Sequence, residues 1–280
     1  MNHQELKLFS AQIRLETAKM LLKRGFGHLG GSFSIVETLS VLYGSVMTID
    51  PTNPSWDQRD RFVLSKGHAG PALYATLALK GYFPLDWLMT LNDNGTRLPS
   101  HPDRLRTPGV DATTGSLGQG ISLAVGMAKS FQIDHKPNRV FAIVGDGELN
   151  EGQVWEAFQF AAHNQLSNLL IFIDENHKQL DGLTKDIMNP FDVRAKMEAF
   201  GFNAVRIKGN DEVLIHKTIE ACFASQKASC IVLDTIKGQG VPYFEQLADN
   251  HHIRFANESE AALKAAIDAL TAQVNGKEIQ

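Results

Sequence analysis

The sequence predicts an α/β protein with a doubly wound, mostly parallel β-sheet that is flanked by helices on both faces. Short apolar runs rich in β-branched residues recur along the chain, and segments of helical period separate them. The runs are continuous rather than alternating, which is typical of parallel strands buried on both faces. We therefore expect ligands to bind beyond the carboxyl ends of the strands.

The expected elements alternate along the chain. An amphipathic helix comes first, and Gly25 is placed to end it; its apolar face carries Leu6, Phe9, Ile13, Met20 and Leu21. The predicted strands are 61–64, 140–144, 169–174, 204–207 and 231–236. The predicted helices between them are 34–46, 71–80, 117–133, 153–164, 190–200 and 212–226.

No Pro/Ser/Gly-rich linker and no internal repeat interrupts the 280 residues. We therefore expect one domain, residues 1–280, with a C-terminal helical extension from about residue 257. Within that extension, residues 259–274 have a helical pattern, and a polar tail follows them.

Composition excludes several classes of protein. The net charge of −4 and the pI of about 6.2 give no electrostatic footprint for nucleic acid or an anionic membrane. No export signal and no membrane-spanning stretch is visible, so we expect a cytoplasmic protein. The spacing of Cys222 and Cys230 fits neither CxxC redox chemistry nor a zinc site, so we expect two reduced thiols.

One glycine motif is misleading. Residues 25–30, GFGHLG, match the dinucleotide pattern GxGxxG, which requires a strand before it and a helix directly after it. Here an amphipathic helix precedes the motif, so a nicotinamide-dependent oxidoreductase is disfavoured. A glycine loop after a helix is the simpler interpretation.

A metal–diphosphate site is predicted where two strands end. The run 140–144 ends in Gly145-Asp146-Gly147, and the run 169–173 is followed by Asn176. A divalent cation with oxygen ligands can hold a diphosphate, and Asp146 and Asn176 each offer one oxygen. The backbone carbonyl of Lys178 could give a third. GDG alone is a common tight turn, but its pairing with a strand-terminal Asn is much more specific.

Together these residues resemble the thiamine-diphosphate signature GDG…N, and further segments resemble the transketolase family from about Glu5 to about Gly240. These segments are GHLGGS (27–32), RFVLSKGHA (61–69), SHPD (100–103), TTGSLGQG (113–120), GDGELNEGQVWE (145–156) and TIKGQG (235–240). Leu29 stands where the family usually has proline. The resemblance is closest to the N-terminal, diphosphate-binding subunit of two-chain transketolases.

The resemblance implies a set of site residues. His68 would contact the diphosphate of thiamine diphosphate and the reacting oxygen. The other implied cofactor-binding residues are Gly115, Ser116, Leu117, Asp146, Gly147, Glu148 and Asn176, and the implied metal ligands are Asp146, Asn176 and Lys178. The metal would be Mg²⁺, with Ca²⁺ or Mn²⁺ able to substitute.

Histidines are the implied catalytic groups. His28, His101 and His252 would line the channel for the donor sugar, with His251 a rival for the place of His252. His28 and His252 are candidates to take the hydroxyl proton of the donor, while His101 and His68 would steady the developing oxyanion. No role is expected for His3, His135, His163, His177 and His216.

The resemblance also implies a partner. In transketolases the glutamate that activates thiamine lies in a second, pyrimidine-binding domain, and no such domain follows here. We therefore expect a C-terminal transketolase subunit to complete the site in a heterotetramer. Glu151 resembles the family's interface glutamate and Glu156 lies one turn further on, although a solvated helix face would explain both.

The expected function is transketolase: transfer of a two-carbon ketol unit from a ketose phosphate to an aldose phosphate, with pentose-phosphate interconversion the default. The alternatives are a deoxyxylulose-phosphate synthase-like enzyme, one chain of a 2-oxoacid dehydrogenase, or a non-catalytic cofactor-binding subunit. Retention of the donor-channel histidines disfavours the last of these.

Overall fold

The computed structural model describes residues 1–276; residues 277–280 of the predicted polar tail lie outside the described residues. A five-stranded parallel sheet forms its centre. In spatial order its strands are Arg61–Leu64 (β2), Val140–Gly145 (β3), Leu169–Glu175 (β4), Ser229–Asp234 (β8) and Asn203–Lys208 (β7). Two antiparallel pairs add Phe26–Gly27 (β1) with Ile253–Arg254 (β9), and Lys178–Gln179 (β5) with Gly182–Leu183 (β6).

Helices connect and cover the strands. The α-helices of the described chain are His3–Arg24 (α1), Leu29–Phe33 (α2), Val36–Val41 (α3), Gly70–Leu79 (α4), Gln119–Ile133 (α5), Gly152–His163 (α6), Thr184–Ile187 (α7), Val193–Ala199 (α8), Glu212–Ala224 (α9), Pro242–Gln246 (α10) and Asn257–Gly276 (α11). Shorter 3₁₀ turns lie at Gly67–Ala69, Leu85–Thr90 and Gly147–Asn150. None of the helices within residues 1–276 is long and apolar enough to cross a membrane.

Strand residues face two different cores in turn. In β3, Phe141 and Ile143 pack into a core that includes residues of α1, α3 and α4, whereas Ala142 and Val144 pack into one that includes residues of α5 and α6. This follows from the two-residue period of a strand, and it requires helices on both faces. The prediction of a doubly wound parallel sheet is confirmed.

The first helix begins and ends at the residues that the sequence indicates. Asn2 and Glu5 form a reciprocal capping box at its start, each side chain accepting from the other's backbone N–H. Gly25 ends it in the left-handed conformation at φ 80°, as predicted. The GFGHLG motif therefore follows a helix and enters the short strand β1, which is not the dinucleotide context.

Several predicted boundaries were wrong, for local reasons. The predicted helix 34–46 divides into α3 and a π-helical turn at Leu42–Val46. Helix α5 begins at Gln119 rather than 117 because Gly118 lies at φ 83°, outside the helical region. Helix α8 begins after Asp192, whose side chain caps it, because Phe191 has a φ of 54°. The last sheet strand lies at 229–234 rather than 231–236.

Helix α6 offers a matched test of core packing. Phe158 is 0% exposed, whereas Phe160 on the same helix is 47% exposed. We expect Phe158→Ala to lower the free energy of unfolding by about 3–5 kcal/mol, because it removes a buried ring and leaves a cavity. Phe160→Ala should change it by less than about 1 kcal/mol. Urea unfolding measures both, and equal losses would contradict this packing.

Candidate active site

The predicted metal-binding residues meet at one edge of the sheet. Gly145 of β3 lies opposite Asp174 of β4, so Asp146 and Asn176 leave adjacent strands side by side. Asp146 is buried, and its carboxylate accepts the backbone N–H groups of Gly147 at 2.8 Å and His177 at 2.7 Å. These two bonds hold the carboxylate in one orientation.

Asp174, which sequence reasoning missed, orients Asn176. The amide Nδ2 of Asn176 donates to Asp174 Oδ2 at 2.6 Å, so its carbonyl oxygen is the atom left to act as a ligand. That oxygen accepts the N–H of Lys178 at 3.2 Å. The Lys178 carbonyl, the third predicted ligand, accepts a hydrogen bond from the ammonium of Lys237 at 3.2 Å.

Burial makes Asp146 sensitive to a neighbouring cation. Burial and then the nearby Asp174 raise the pKa of Asp146 to about 7. A divalent cation beside this carboxylate would favour its ionised form, so the donor set fits a hard cation with oxygen ligands. A single ligating carboxylate also leaves net positive charge for a diphosphate.

Glycines bring the backbone close to the site. A Cβ on Gly147 would lie 2.8 Å from the Cβ of Gln179, and one on Gly31 would lie 2.8 Å from Nε2 of His68. Gly115 lies at φ +141°, and a Cβ there would meet the ring of His101 at 3.0 Å. Side chains at these positions would fill the space in which the predicted cofactor residues converge.

Glu148 organises the surrounding loops. Its carboxylate accepts hydrogen bonds from Ser65 Oγ, from the N–H of Gly118 at 2.8 Å and from the N–H of Gly145 at 3.0 Å. The side chain thereby ties the ends of β2 and β3 to the start of α5. Of the other predicted cofactor residues, Gly115 and Leu117 line the adjoining cavity, and Ser116 is exposed and does not.

This cavity, of about 320 Å³, brings the metal-site residues and the histidines together. Its lining includes Asp146, Gly147, Glu148, Asn176, Lys178, Lys66, Lys237 and the histidines His28, His68, His101 and His251. The ring of His28 is central: its centroid lies 5.6 Å from those of His68 and His101, 5.2 Å from His251 and 4.8 Å from His252.

The rival histidines lie in different places. His251 lines the cavity, its ring centroid lies 4.7 Å from that of His68, and its Nδ1 lies 3.1 Å from the Lys237 ammonium. His252 is exposed and lies outside the cavity lining, between the rings of His28 and Phe26. The structure thus places His251, the rival, in the cavity lining and His252, the first choice, outside it.

Burial keeps the cavity histidines neutral near pH 7. Burial, followed by His251, His252 and His101, lowers the pKa of His28 to about 3. Burial and Lys237 lower the pKa of His251 to about 4, and burial also lowers the pKa values of His68 and His101. Neutral imidazoles have a free ring nitrogen and can accept a proton.

Two lysines were not assigned roles by sequence reasoning. Lys66 is almost fully buried and donates to Asp174 at 2.6 Å and to the Gly31 carbonyl at 2.7 Å. Lys237 is also buried, and burial lowers its pKa to about 8. Both lie within motifs that the sequence displays, SKGHA and TIKGQG, but the contacts themselves join segments distant in the chain.

Comparisons with known proteins agree with this geometry. Residues 6–271 match the family described as "Transketolase, thiamine diphosphate binding domain". The chain belongs to the transketolase family. It is 50% identical over 258 residues to the 6-deoxy-6-sulfo-D-fructose transketolase subunit SqwG of Clostridium sp., covering 91% of this chain and 94% of that protein. It is 34% identical over 282 residues to an apulose-4-phosphate transketolase subunit of Phocaeicola vulgatus, covering 99% of this chain and 100% of that protein.

Solved transketolases share the fold. The Campylobacter jejuni transketolase structure superposes with a TM-score of 0.89 at 32% identity, covering 98% of this chain. The chain spans only 44% of that protein's length. The Clostridium and Phocaeicola relatives match this chain over nearly their whole length and are named as transketolase subunits, which supports an N-terminal transketolase subunit.

The five histidines for which no role is expected lie outside the lining of the cavity. None of His3, His135, His163, His177 and His216 lines the cavity, although the backbone N–H of His177 donates to the Asp146 carboxylate. The two glutamates that the resemblance places at a subunit interface are both exposed. Glu151 lines the cavity, and Glu156 lies on α6.

The lowered pKa of His28 predicts a pH dependence of stability. Between about pH 6.5 and pH 3 the unfolded chain takes up this proton and the folded chain does not, so falling pH destabilises the fold. In His28→Asn the loss of melting temperature between pH 7.5 and 5 should be smaller by about 2–4 °C. His163→Asn, on the exposed end of α6, is the control. Identical pH dependence in wild type and His28→Asn would contradict the assignment.

Proposed function

We propose that this subunit binds thiamine diphosphate through a divalent cation and works with a second chain as a transketolase. The reaction is transfer of a two-carbon ketol unit from a ketose phosphate to an aldose phosphate. The observation that carries the proposal is that Asp146 and Asn176, at adjacent strand ends, line the same cavity as His28, His68 and His101.

The chain's own donors suit a magnesium ion, with Ca²⁺ or Mn²⁺ able to replace it. Asp146 and Asn176 would each supply one oxygen and Lys178 its carbonyl. Lys237 donates to that carbonyl and to the one at Gln179 and lines the same cavity, so its ammonium would supply positive charge near the diphosphate. The buried carboxylate with its raised pKa supports a cation at this position.

Other residues of the cavity would bind the diphosphate. Bound thiamine diphosphate supplies the carbanion chemistry and the electron sink. Gly147 and Gly115 would offer backbone groups to the cofactor, as would Ser116 and Leu117 near the start of α5, while Glu148 holds these loops together. The buried hydroxyl of Thr114, which has no hydrogen-bond partner among residues 1–276, lies next to Gly115 and adds a polar group to this part of the site.

The histidines would move protons and steady charge. His28 and a histidine of the 251–252 pair are proposed to take the donor's hydroxyl proton through a free ring nitrogen. Burial makes His28 and His251 weak bases in this chain alone, because it lowers their pKa values to about 3 and about 4, and the negative charge of a bound diphosphate would raise both pKa values. His251 is supported by its place in the cavity and His252 by its contact with His28. His68 and His101 would stabilise the developing oxyanion.

A C-terminal transketolase subunit is the proposed partner, in a heterotetramer with two copies of each chain. Exposed apolar side chains support a docking surface: Leu180 in the cavity lining, Leu123 on α5, Phe160 on α6, and Ile187, Met188 and Phe191 between β6 and α8. Glu151 at the cavity mouth and Glu156 on α6 would join the same interface. We propose that the chain itself is a single cofactor-binding domain, and that it works in the cytoplasm, in keeping with its two buried free thiols.

The donor is proposed to carry an anionic group at the end remote from its carbonyl. One relative is named for a sulfonated ketose and another for a phosphorylated branched sugar. Assays with fructose 6-phosphate, xylulose 5-phosphate and 6-deoxy-6-sulfo-D-fructose as donors would rank phosphate against sulfonate. A pentose-phosphate role requires the phosphorylated donors to react faster.

Removal of the carboxylate tests the metal site. Asp146→Ala should weaken Mg²⁺-dependent binding of thiamine diphosphate by more than about 100-fold, because even outer-shell changes at metal sites cost about 10–100-fold. Intrinsic fluorescence titration measures the affinity, and circular dichroism checks the fold. Asp186→Ala, on an exposed position outside the cavity lining, is the control. Unchanged cofactor affinity in Asp146→Ala would refute the metal assignment.

Reconstitution tests the two-chain proposal. The 280-residue chain alone should bind the cofactor but show no ketol transfer, because the carboxylate that activates thiamine is proposed to lie on the partner. Addition of a C-terminal transketolase subunit should restore transfer, measured by aldose formation. Robust transfer by this chain alone would defeat the proposal, as would cofactor binding without any turnover in the complex.

A further inference from the structure

A second cavity lies at the opposite end of β2 from the catalytic cavity. It has a volume of about 540 Å³ and is lined by the segments that precede and begin β2 and by the segment 104–111. The catalytic residues come after Leu64, at the carboxyl end of this strand, whereas Arg59 and Arg61 lie at its amino end. We call this cavity the arginine pocket.

The arginine pocket carries an excess of positive charge. Its lining holds five guanidinium groups and one carboxylate, that of Asp111; the arginines are Arg59, Arg61, Arg97, Arg104 and Arg106. Asp111 is already paired, since both terminal nitrogens of Arg59 donate to its carboxylate oxygens. The other arginines therefore remain without a balancing carboxylate in the pocket lining, apart from a 3.7 Å contact of Arg61 with Asp111.

Two of the arginines are available to a ligand. Among residues 1–276, no hydrogen bond or ion pair engages the guanidinium of Arg97 or of Arg104, and both side chains belong to exposed residues. The guanidinium carbon of Arg97 lies 5.0 Å from the centroid of the Trp87 ring, within the range of a cation–π contact. Arg106 makes only long contacts, at 3.4 Å to Asp103 and 3.5 Å to the Thr96 carbonyl.

This arrangement suits a tetrahedral oxyanion. A guanidinium presents its N–H donors in a planar fork that matches two oxygens of a carboxylate, phosphate or sulfonate. A phosphate or sulfonate has three terminal oxygens, so it can engage more than one fork of a concave site at the same time, whereas a carboxylate has only two. The volume lies within the range of small-molecule sites and can hold a sugar that carries the anion. A concave pocket favours a small ligand over an extended polyanion.

The pocket is joined to the catalytic cavity by one loop. His101 and Gly115 lie at the loop's two ends and touch, because a Cβ on Gly115 would meet the His101 ring. The N–H of Thr114 also donates to the Pro102 carbonyl at 3.1 Å. Between these ends the loop carries Arg104 and Arg106 into the arginine pocket, so both cavities share its backbone.

We propose that the arginine pocket binds the phosphate or sulfonate group of a small sugar-like metabolite and that the loop 101–115 couples this binding to the catalytic cavity. The ligand's anion would bridge Arg97 and Arg104, which approach the pocket from separate segments. The binding half of the proposal does not depend on the transketolase activity, since binding is measured without cofactor or metal, whereas the coupling half rests on the proposed binding of thiamine diphosphate.

The experiment measures anion binding to the full 280-residue chain by calorimetry, with EDTA present so that the metal site stays without a divalent ion. The probes are inorganic phosphate, glucose 6-phosphate and 6-deoxy-6-sulfo-D-fructose, with glucose as the uncharged comparison. We expect saturable binding of the anions and none of glucose. The comparison of the two sugar anions distinguishes a phosphate ligand from a sulfonate ligand.

Matched variants locate the site. The double variant Arg97→Ala/Arg104→Ala should weaken anion binding by at least about tenfold. The affinity of Arg97→Lys/Arg104→Lys should lie between that of the alanine variant and that of the wild type, because lysine keeps the charge but loses the planar fork of donors. Arg194→Ala/Lys208→Ala removes the same charge elsewhere and should bind as wild type, as should Asp146→Ala. No saturable binding, or equal binding by the Arg97→Ala/Arg104→Ala variant, would overturn the proposal.

Coupling has its own readout. Saturating anion should change the Mg²⁺-dependent affinity for thiamine diphosphate of the wild-type chain, and the Arg97→Ala/Arg104→Ala variant should show no such change. An anion that binds through these arginines and leaves cofactor affinity unaltered would overturn the coupling. If the anion changes cofactor affinity in the Arg97→Ala/Arg104→Ala variant as well, the anion acts in the catalytic cavity, and this result would also overturn the coupling.

Discussion

The carboxyl edge of this sheet depends on the buried ion pair between Lys66 and Asp174. Asp174 accepts hydrogen bonds from Lys66, Ser34 and Thr235 and from Asn176 two residues further on, and so ties three separate segments to the end of β4. Burial alone would raise the pKa of Asp174, but Lys66 and these donors hold it below its usual range. Loss of one partner from a buried pair costs about 3–5 kcal/mol, because the other charge is then left uncompensated. The pair therefore both stabilises the edge and orients Asn176.

The rest of the cavity follows from burial around that pair. Burial, and the cations Lys66 and Lys237, keep His68 and His251 neutral, while the buried carboxylate of Asp146 has a raised pKa. The histidines are therefore uncharged near pH 7, and the carboxylate would lose its proton beside a bound cation. In the proposed function that cation would hold the negatively charged diphosphate in the same cavity as the neutral histidines.

Much of the fold and part of the site could be predicted from local sequence. Buried strands leave continuous apolar runs, so β3 and β4 were expected at close to their observed bounds, and Asp146 and Asn176 with them. Boundaries failed where a single backbone conformation decided them, as at Gly118 and Phe191. Lys237 was missed because its contacts, with Lys178 and His251, are made between loops that no periodic pattern describes.

The sequence by itself determined the order of strands and helices, the two-sided core and the residues that follow each strand, because these depend on neighbours in the chain. Only the tertiary structure decided which polar groups share a cavity. Lys66 and Asp174 are 108 positions apart, and adjacent His251 and His252 differ in whether they face the cavity or its rim. Such contacts form when segments that are distant in the chain pack together. A local pattern of apolar and polar residues does not specify which distant segments will meet.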